Sequence, residues 1–171
     1  VTIDSATGKN KIIWARTDGK NTQSYNIYKV FGVVYQPIGN VPFDSLSVFK
    51  DFTSIPESMV DRYAISAIDS CGNESAKSPF HQTMLLQAAK GTATNEAVLN
   101  WNKYIDESGA WVPEYYYLYK GKTKNSMALI DSVSGLLEPR YNDTKFDGIS
   151  AYYQCAIRKQ TACSPAILKA E

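Results

Sequence analysis

Histidine is almost missing from this sequence. The only one among 171 residues, His81, stands near the end of an extended run, away from any serine or cysteine with a nucleophile-like context. A triad built on an imidazole base is therefore not expected, and His81 reads as a surface residue. Cysteine is scarce as well. Cys71, Cys155 and Cys163 are too few for a disulfide-dense miniprotein and lack the paired C-x-x-C spacing of a structural zinc site. Charge of one sign is lacking too: 18 Lys and Arg face 17 Asp and Glu, a net +1 that supplies no field to draw in a polyanion, so nucleic acid is not expected as a partner. No run approaches the ~18 uninterrupted apolar residues of a membrane helix, so this segment is not expected to insert into a bilayer. Val1 opens directly in a strand-like run, and any export signal is expected to have been removed or to be absent.

Acidic constellations are equally thin. Asp106-Glu107 and Asp143…Asp147 fall between extended runs, where solvated loop carboxylates are the default and glycosidase geometry would be coincidence. Asn142–Gly148, "NDTKFDG", lacks the alternating oxygen ligands and terminal Glu of an EF-hand loop and reads as a turn. No metal, no cofactor and no enzymatic activity are expected.

What is present is tyrosine, 12 of them, together with β-branched residues in short alternating runs that Gly, Pro, Asn, Asp and Ser punctuate. That pattern predicts an all-β chain, because no apolar stripe of helical period is sustained for three turns. In the first half the predicted strands are Val1–Asp4, Lys11–Arg16, Ser24–Phe31, Val34–Gly39, Leu46–Phe52, Val60–Asp69 and about Pro79–Leu85. Alternation turns Ile12 and Trp14 inward on the second of these, and Tyr63, Ile65 and Ala67 inward on the sixth.

The second half repeats this order with different letters. "KIIWAR" returns as "AVLNWN", which sets Trp101 where Trp14 stands (101 − 14 = 87). "YNIYK" returns as "YYLYK" (120 − 29 = 91), and "RYAISAI" returns as "YYQCAIR" (153 − 63 = 90 for the inward tyrosines). Near-constant offsets imply one duplicated domain, with a boundary near Met84–Gly91 and no Gly/Ser- or Pro-rich linker.

Both halves resemble the fibronectin type III repeat. The residues that carry the resemblance in the first half are Trp14, Tyr25-Asn26-Ile27-Tyr28, "FKDFTS" at Phe49–Ser54, "YAISAID" at Tyr63–Asp69 and the corner "DSCGNESAKS" at Asp69–Ser78. The second half keeps Trp101, the tyrosine run, "YNDT" at Tyr141–Thr144 and "YQCAI" at Tyr153–Ile157, but lacks the Gly-Asn-x-Ser corner. The resemblance implies two tandem seven-stranded immunoglobulin-like β-sandwiches, residues 1–86 and 87–171. It also implies a non-catalytic adhesion or spacer module of a larger secreted or cell-surface protein, with a protein or a glycan at the cell surface as partner. The corner motif is similar to modules of secreted or surface proteins of Bacteroidetes-type bacteria. A carbohydrate-binding or accessory module of a glycan-active enzyme is the alternative.

Two features remain as site candidates. In "WVPEYYYLYKGK", matching Tyr116 and Leu118 to the inward Tyr25 and Ile27 leaves Tyr115, Tyr117 and Tyr119 facing outward, with Trp111 in the preceding loop. Such a face suits sugar rings or a protein hot spot, since aromatic rings offer large rigid area at low entropic cost; the same rings also suit packing on neighbouring strands or lysine stems. Cys155 lies in the inward register with Tyr153 and Ile157, and Cys163 follows on the expected hairpin neighbour. A Cys155–Cys163 disulfide, and with it an oxidising compartment, is one reading, and a buried free thiol is the other. Cys71 stays free or bonds outside the chain.

Overall fold

The computed structural model describes residues 1–16 and 21–159, and every regular element among them is a β-strand. No described helix is long and apolar enough to cross a membrane. Among the described residues the chain separates into two compact units, one of Val1–Thr83 with Ile105–Ala110, the other of Met84–Tyr104 with residues 111–159.

Unit 1 places β1 (Thr2–Ile3), β2 (Asn10–Ile13) and β5 (Val48–Asp51) in a three-stranded sheet ordered β1-β2-β5. Its second sheet runs β10-β7-β6-β3-β4, with β3 at Thr22–Phe31, β4 at Val34–Pro42, β6 at Arg62–Asp69, β7 at His81–Gln82 and β10 at Ile105–Asp106. The inward rows predicted from alternation meet between the sheets: Ile12 and Trp14 on one side, Tyr25, Ile27 and Tyr63 on the other. Trp14 meets Tyr25 edge to face, with ring centroids 5.5 Å apart and planes at 65°. At ~25 cal/mol per Å² and ~150–250 Å² per ring, each buried aromatic contributes about 4–6 kcal/mol in gross terms. The register of β3 against β4 shifts at Ile27/Tyr28, next to Gly39, where a Cβ would collide with the Phe49 ring; only a glycine lets β4 pass there.

Unit 2 repeats the connectivity. Its sheets are β13-β9-β8 and β12-β11-β14, from β8 (Leu86–Lys90), β9 (Ala97–Trp101), β11 (Tyr115–Thr123), β12 (Ser126–Ser134), β13 (Arg140–Asp143) and β14 (Tyr152–Ile157). In each unit the first, second and fifth of its strands form one sheet, and the third, fourth and sixth lie in the other. Leu99, Trp101, Tyr116 and Leu118 form the core, and Trp101 meets Tyr116 at 5.6 Å and 64°, nearly the geometry of the first pair. The expected all-β, two-layered fold is thus what the chain adopts. Unit 1 has its seven expected strands and takes β10 as well; unit 2 shows six among the described residues.

Two boundaries differ from expectation for a physical reason. Strand β2 ends at Ile13, and Trp14 continues only through a bond from its N–H to the Ser47 carbonyl (3.3 Å). The closing strand predicted at Pro79–Leu85 shrinks to His81–Gln82. Upstream of it the chain follows β6 through serine: Ser75 and Ser78 donate their N–H groups to Ala67 and Ile65, and their Oγ atoms accept from the N–H groups of those residues. Side-chain oxygens replace ladder carbonyls there, so regular pairing does not form.

A tyrosine face and a duplicated buried cluster as candidate sites

Strand β11 delivers the predicted alternation. Tyr116 and Leu118 are buried, while Tyr115, Tyr117 and Tyr119 stand on the other face, Tyr115 exposed and the other two half-buried. Their strand neighbours on one side are Ser134, Ser132 and Leu129 of β12, and on the other Ala156 and Gln154 of β14. Ser134, the short neighbour of Tyr115, leaves that ring exposed above the sheet. Tyr115 and Tyr117 lie 6.3 Å apart, and the Arg158 guanidinium stacks over Tyr117 at 4.5 Å while donating from Nη2 to the Tyr119 hydroxyl at 3.2 Å. Trp111, expected beside this stripe, is half-buried and packs edge-on against Tyr104 at 5.2 Å.

In unit 1 the same face is closed. Ser24 and Asn26 stand where Tyr115 and Tyr117 stand (115 − 24 = 91; 117 − 26 = 91), and Tyr28 matches Tyr119. Although Tyr28 points outward it is buried, because Lys77 lies 4.7 Å over its ring, Tyr35 packs against it, and Glu74 accepts from its hydroxyl. Ser66 also donates to Glu74, at 2.6 Å. These bonds hold the Glu74 carboxyl below its ordinary range.

The structure also brings together a buried polar cluster that pattern reading missed. In unit 1, Lys29 Nζ lies 2.9 Å from Asp61 and 3.1 Å from Asp51, and Tyr63 donates to Asp51 at 2.7 Å. Asn10 Nδ2 donates to Asp61 at 2.9 Å and to the Tyr63 oxygen at 3.0 Å. Burial pushes the Asp51 carboxyl up, but bonds from Thr53, Tyr63 and Lys29 outweigh it and bring it to about 2. Lys29 is opposed by burial and nonetheless raised by its two carboxylates, and burial and Asp51 together raise Tyr63. Unit 2 repeats the centre of this cluster: Lys120 lies 2.6 Å from Asp143, and Tyr153 donates to Asp143 at 2.7 Å. Burial raises Asp143, and Lys120 and Tyr153 outweigh it, so its carboxyl ends lowered. Lys29 and Lys120, with Tyr63 and Tyr153, are matched by the repeat, but strand lysines are ordinarily solvated and nothing local marks these two as partners of a buried carboxylate.

Several acids and the histidine sit differently from expectation. Asp143, read as a loop carboxylate, ends β13 and is buried, because Lys120 compensates its charge. Asp106 lies in β10 opposite His81, and Glu107 accepts from the Phe80 N–H at 2.9 Å. His81 is half-buried as the middle of three paired strands rather than a surface residue. Cys155 faces the unit 2 core, where burial pushes its thiol up to about 12. Cys163, its expected partner, lies outside the described residues, and Cys71 is an exposed free thiol. Among the described residues no three His, Cys, Asp or Glu side chains are grouped so as to hold a metal ion.

No family model matches the chain, and no curated protein matches it. Solved structures similar to it include the central fibronectin-III array of RIM-binding protein (11% identity, TM-score 0.38, 91% of this chain and 60% of that chain). Others are the FN1-FN3 domains of chicken CNTN1 (15%, TM-score 0.33, 80% and 51%) and a two fibronectin type-III domain segment from chicken tenascin (12%, TM-score 0.35, 86% and 91%). The chain spans less than two thirds of the first two. Likeness at this level says nothing of ligand or activity; the all-β architecture rests on the strands themselves.

Proposed function

We propose that this chain is a non-catalytic module, two fibronectin type III-like domains over residues 1–86 and 87–171, of a larger secreted or cell-surface protein of the bacterial kind that its corner motif resembles. Its role is adhesion or the spacing of neighbouring domains, and its contact surface is the outward face of β11. The observation that carries this reading is the contrast between units: the equivalent face of unit 1 is covered by Glu74 and Lys77 of its own chain, whereas Tyr115 of unit 2 is exposed. Exposed aromatic rings on a rigid sheet are what binding surfaces use, because little side-chain entropy is lost on contact.

A second reading, a carbohydrate-binding or accessory module of a glycan-active enzyme, draws on the same rings. A glycan array and a whole-cell adhesion assay, each run with the unaltered chain and with Tyr115→Ala, Tyr117→Ala and Trp111→Ala, test both. Loss of binding on the array supports the second reading, and loss of adhesion alone supports the first. Binding left unchanged by all three substitutions rejects the face.

A further inference from the structure

We propose that the tyrosine face of unit 2 selects an acidic polysaccharide, a chain of uronate rings, and that Arg158 reads its carboxylates. This deepens the contact-face reading and rests on it. Three observations point the same way. The first is charge. The side chains opposite the three tyrosines, Ser134, Ser132 and Leu129 on β12 and Ala156 and Gln154 on β14, carry none, and among the described residues the Arg158 guanidinium meets the Tyr119 hydroxyl and the Tyr117 ring rather than a carboxylate. The second is preorganisation. Arg158 lies over Tyr117 and is bonded to Tyr119, which uses one of its five N–H donors and leaves the others for a carboxylate.

The third is an internal template. Tyr28 in unit 1 stands at the position of Tyr119 (119 − 28 = 91), and what covers it is a carboxylate, Glu74, with a cation, Lys77, over the ring. In unit 2 the cation is Arg158, which bonds the Tyr119 hydroxyl but lies over the neighbouring Tyr117 ring, and Ala156 replaces the Ser66 that helps hold Glu74 (156 − 66 = 90). An anionic ligand would bring to that cation the carboxylate that unit 1 supplies from its own chain.

The glycan commitment follows from the shape of the surface. Backbone donors and acceptors of a central strand such as β11 are spent on β12 and β14, so this face offers no peptide-like pairing, which works at sheet edges. It offers the exposed Tyr115 ring, on which a sugar ring can stack, with Tyr117 6.3 Å away carrying Arg158 over its own ring.

The test is calorimetric titration of the full chain with polygalacturonate, the same polymer after reduction of its carboxyls to alcohols, and polyglutamate. Polygalacturonate binding that weakens about tenfold or more in Arg158→Gln, on carboxyl reduction and in raised salt is the expected result, with Arg158→Lys restoring only part of it. Arg158 is exposed, and an unchanged Tm in the variant confirms that folding is intact. Equal binding of the reduced polymer, or no effect of Arg158→Gln, overturns the charge inference while leaving the face in place. Preference for polyglutamate, or binding of no polymer, overturns the glycan commitment. Binding that survives Tyr115→Ala combined with Tyr117→Ala removes the face itself.

Discussion

The two units keep the same tryptophan–tyrosine pair and the same Lys–Asp–Tyr centre, yet around that centre they differ as a set. Asn10 and Asp61 of unit 1 become Ala97 and Ala151 in unit 2 (97 − 10 = 87; 151 − 61 = 90). The ladders support the first match, since Asn10 pairs with Asp51 and Ala97 with Asp143. The second carboxylate and the amide that donates to it are present together or absent together, as expected if neither is tolerated buried alone. The core therefore tolerates two solutions, one lysine against two carboxylates with an amide, or one lysine against one. The outward faces diverge more freely. Ser24 and Asn26 against Tyr115 and Tyr117 is a change that solvent permits and a core would not.

The sharpest way to break this comparison is to remove the cation. Lys29→Met leaves two buried carboxylates facing each other and should cost about 3–5 kcal/mol in urea unfolding. Lys120→Met leaves one, at a less enclosed site (Lys120 side chain 21% exposed against 10% for Lys29), and should cost visibly less; equal losses would refute the idea that the second carboxylate sets the stakes.

Next comes the amide. Asn10→Ala deprives Asp61 of a donor and should cost about 1–3 kcal/mol, whereas adding Asp61→Ala, which recreates the composition of unit 2, should return part of that loss. A double-mutant cycle should show coupling of about 0.5–3 kcal/mol, and strict additivity would count against the paired exchange.

Acid titration is the third test. The Asp51 carboxyl is lowered from 3.8 to about 2, so its stabilisation is fully present above pH 3.8 and is lost as the pH falls through about 2. Asp143 is lowered as well and acts with the same sign. Unfolding midpoints measured from pH 5 to pH 2 should fall, and Asp51→Asn should flatten that slope while lowering stability at neutral pH.

The smallest effect is expected on the outward face. Tyr115→Ala should change stability by no more than about 0.5 kcal/mol, because its ring is exposed, and a larger loss would show that the stripe is structural.

Strand class, the duplicated order and the inward rows were legible in the sequence, since alternation with period two fixes which side chains share a face once a strand is recognised. Trp14, Tyr25, Ile27 and Tyr63 meet in one core as alternation requires, and Tyr115, Tyr117 and Tyr119 share the opposite face of β11. The short closing strand was not legible, because whether Ser75 and Ser78 offer side-chain or backbone oxygens to β6 depends on where the chain passes.

Nor was the partner of each buried charge. Lys29 is 22 residues from Asp51 and 32 from Asp61 (61 − 29 = 32), and Arg158 is 39 from Tyr119; no local pattern links such positions. The sequence by itself determined the tyrosine rows, because a strand's geometry is local. Tertiary structure alone decided which row is closed by Glu74 and Lys77 and which carries Arg158, because charges choose partners by distance in space.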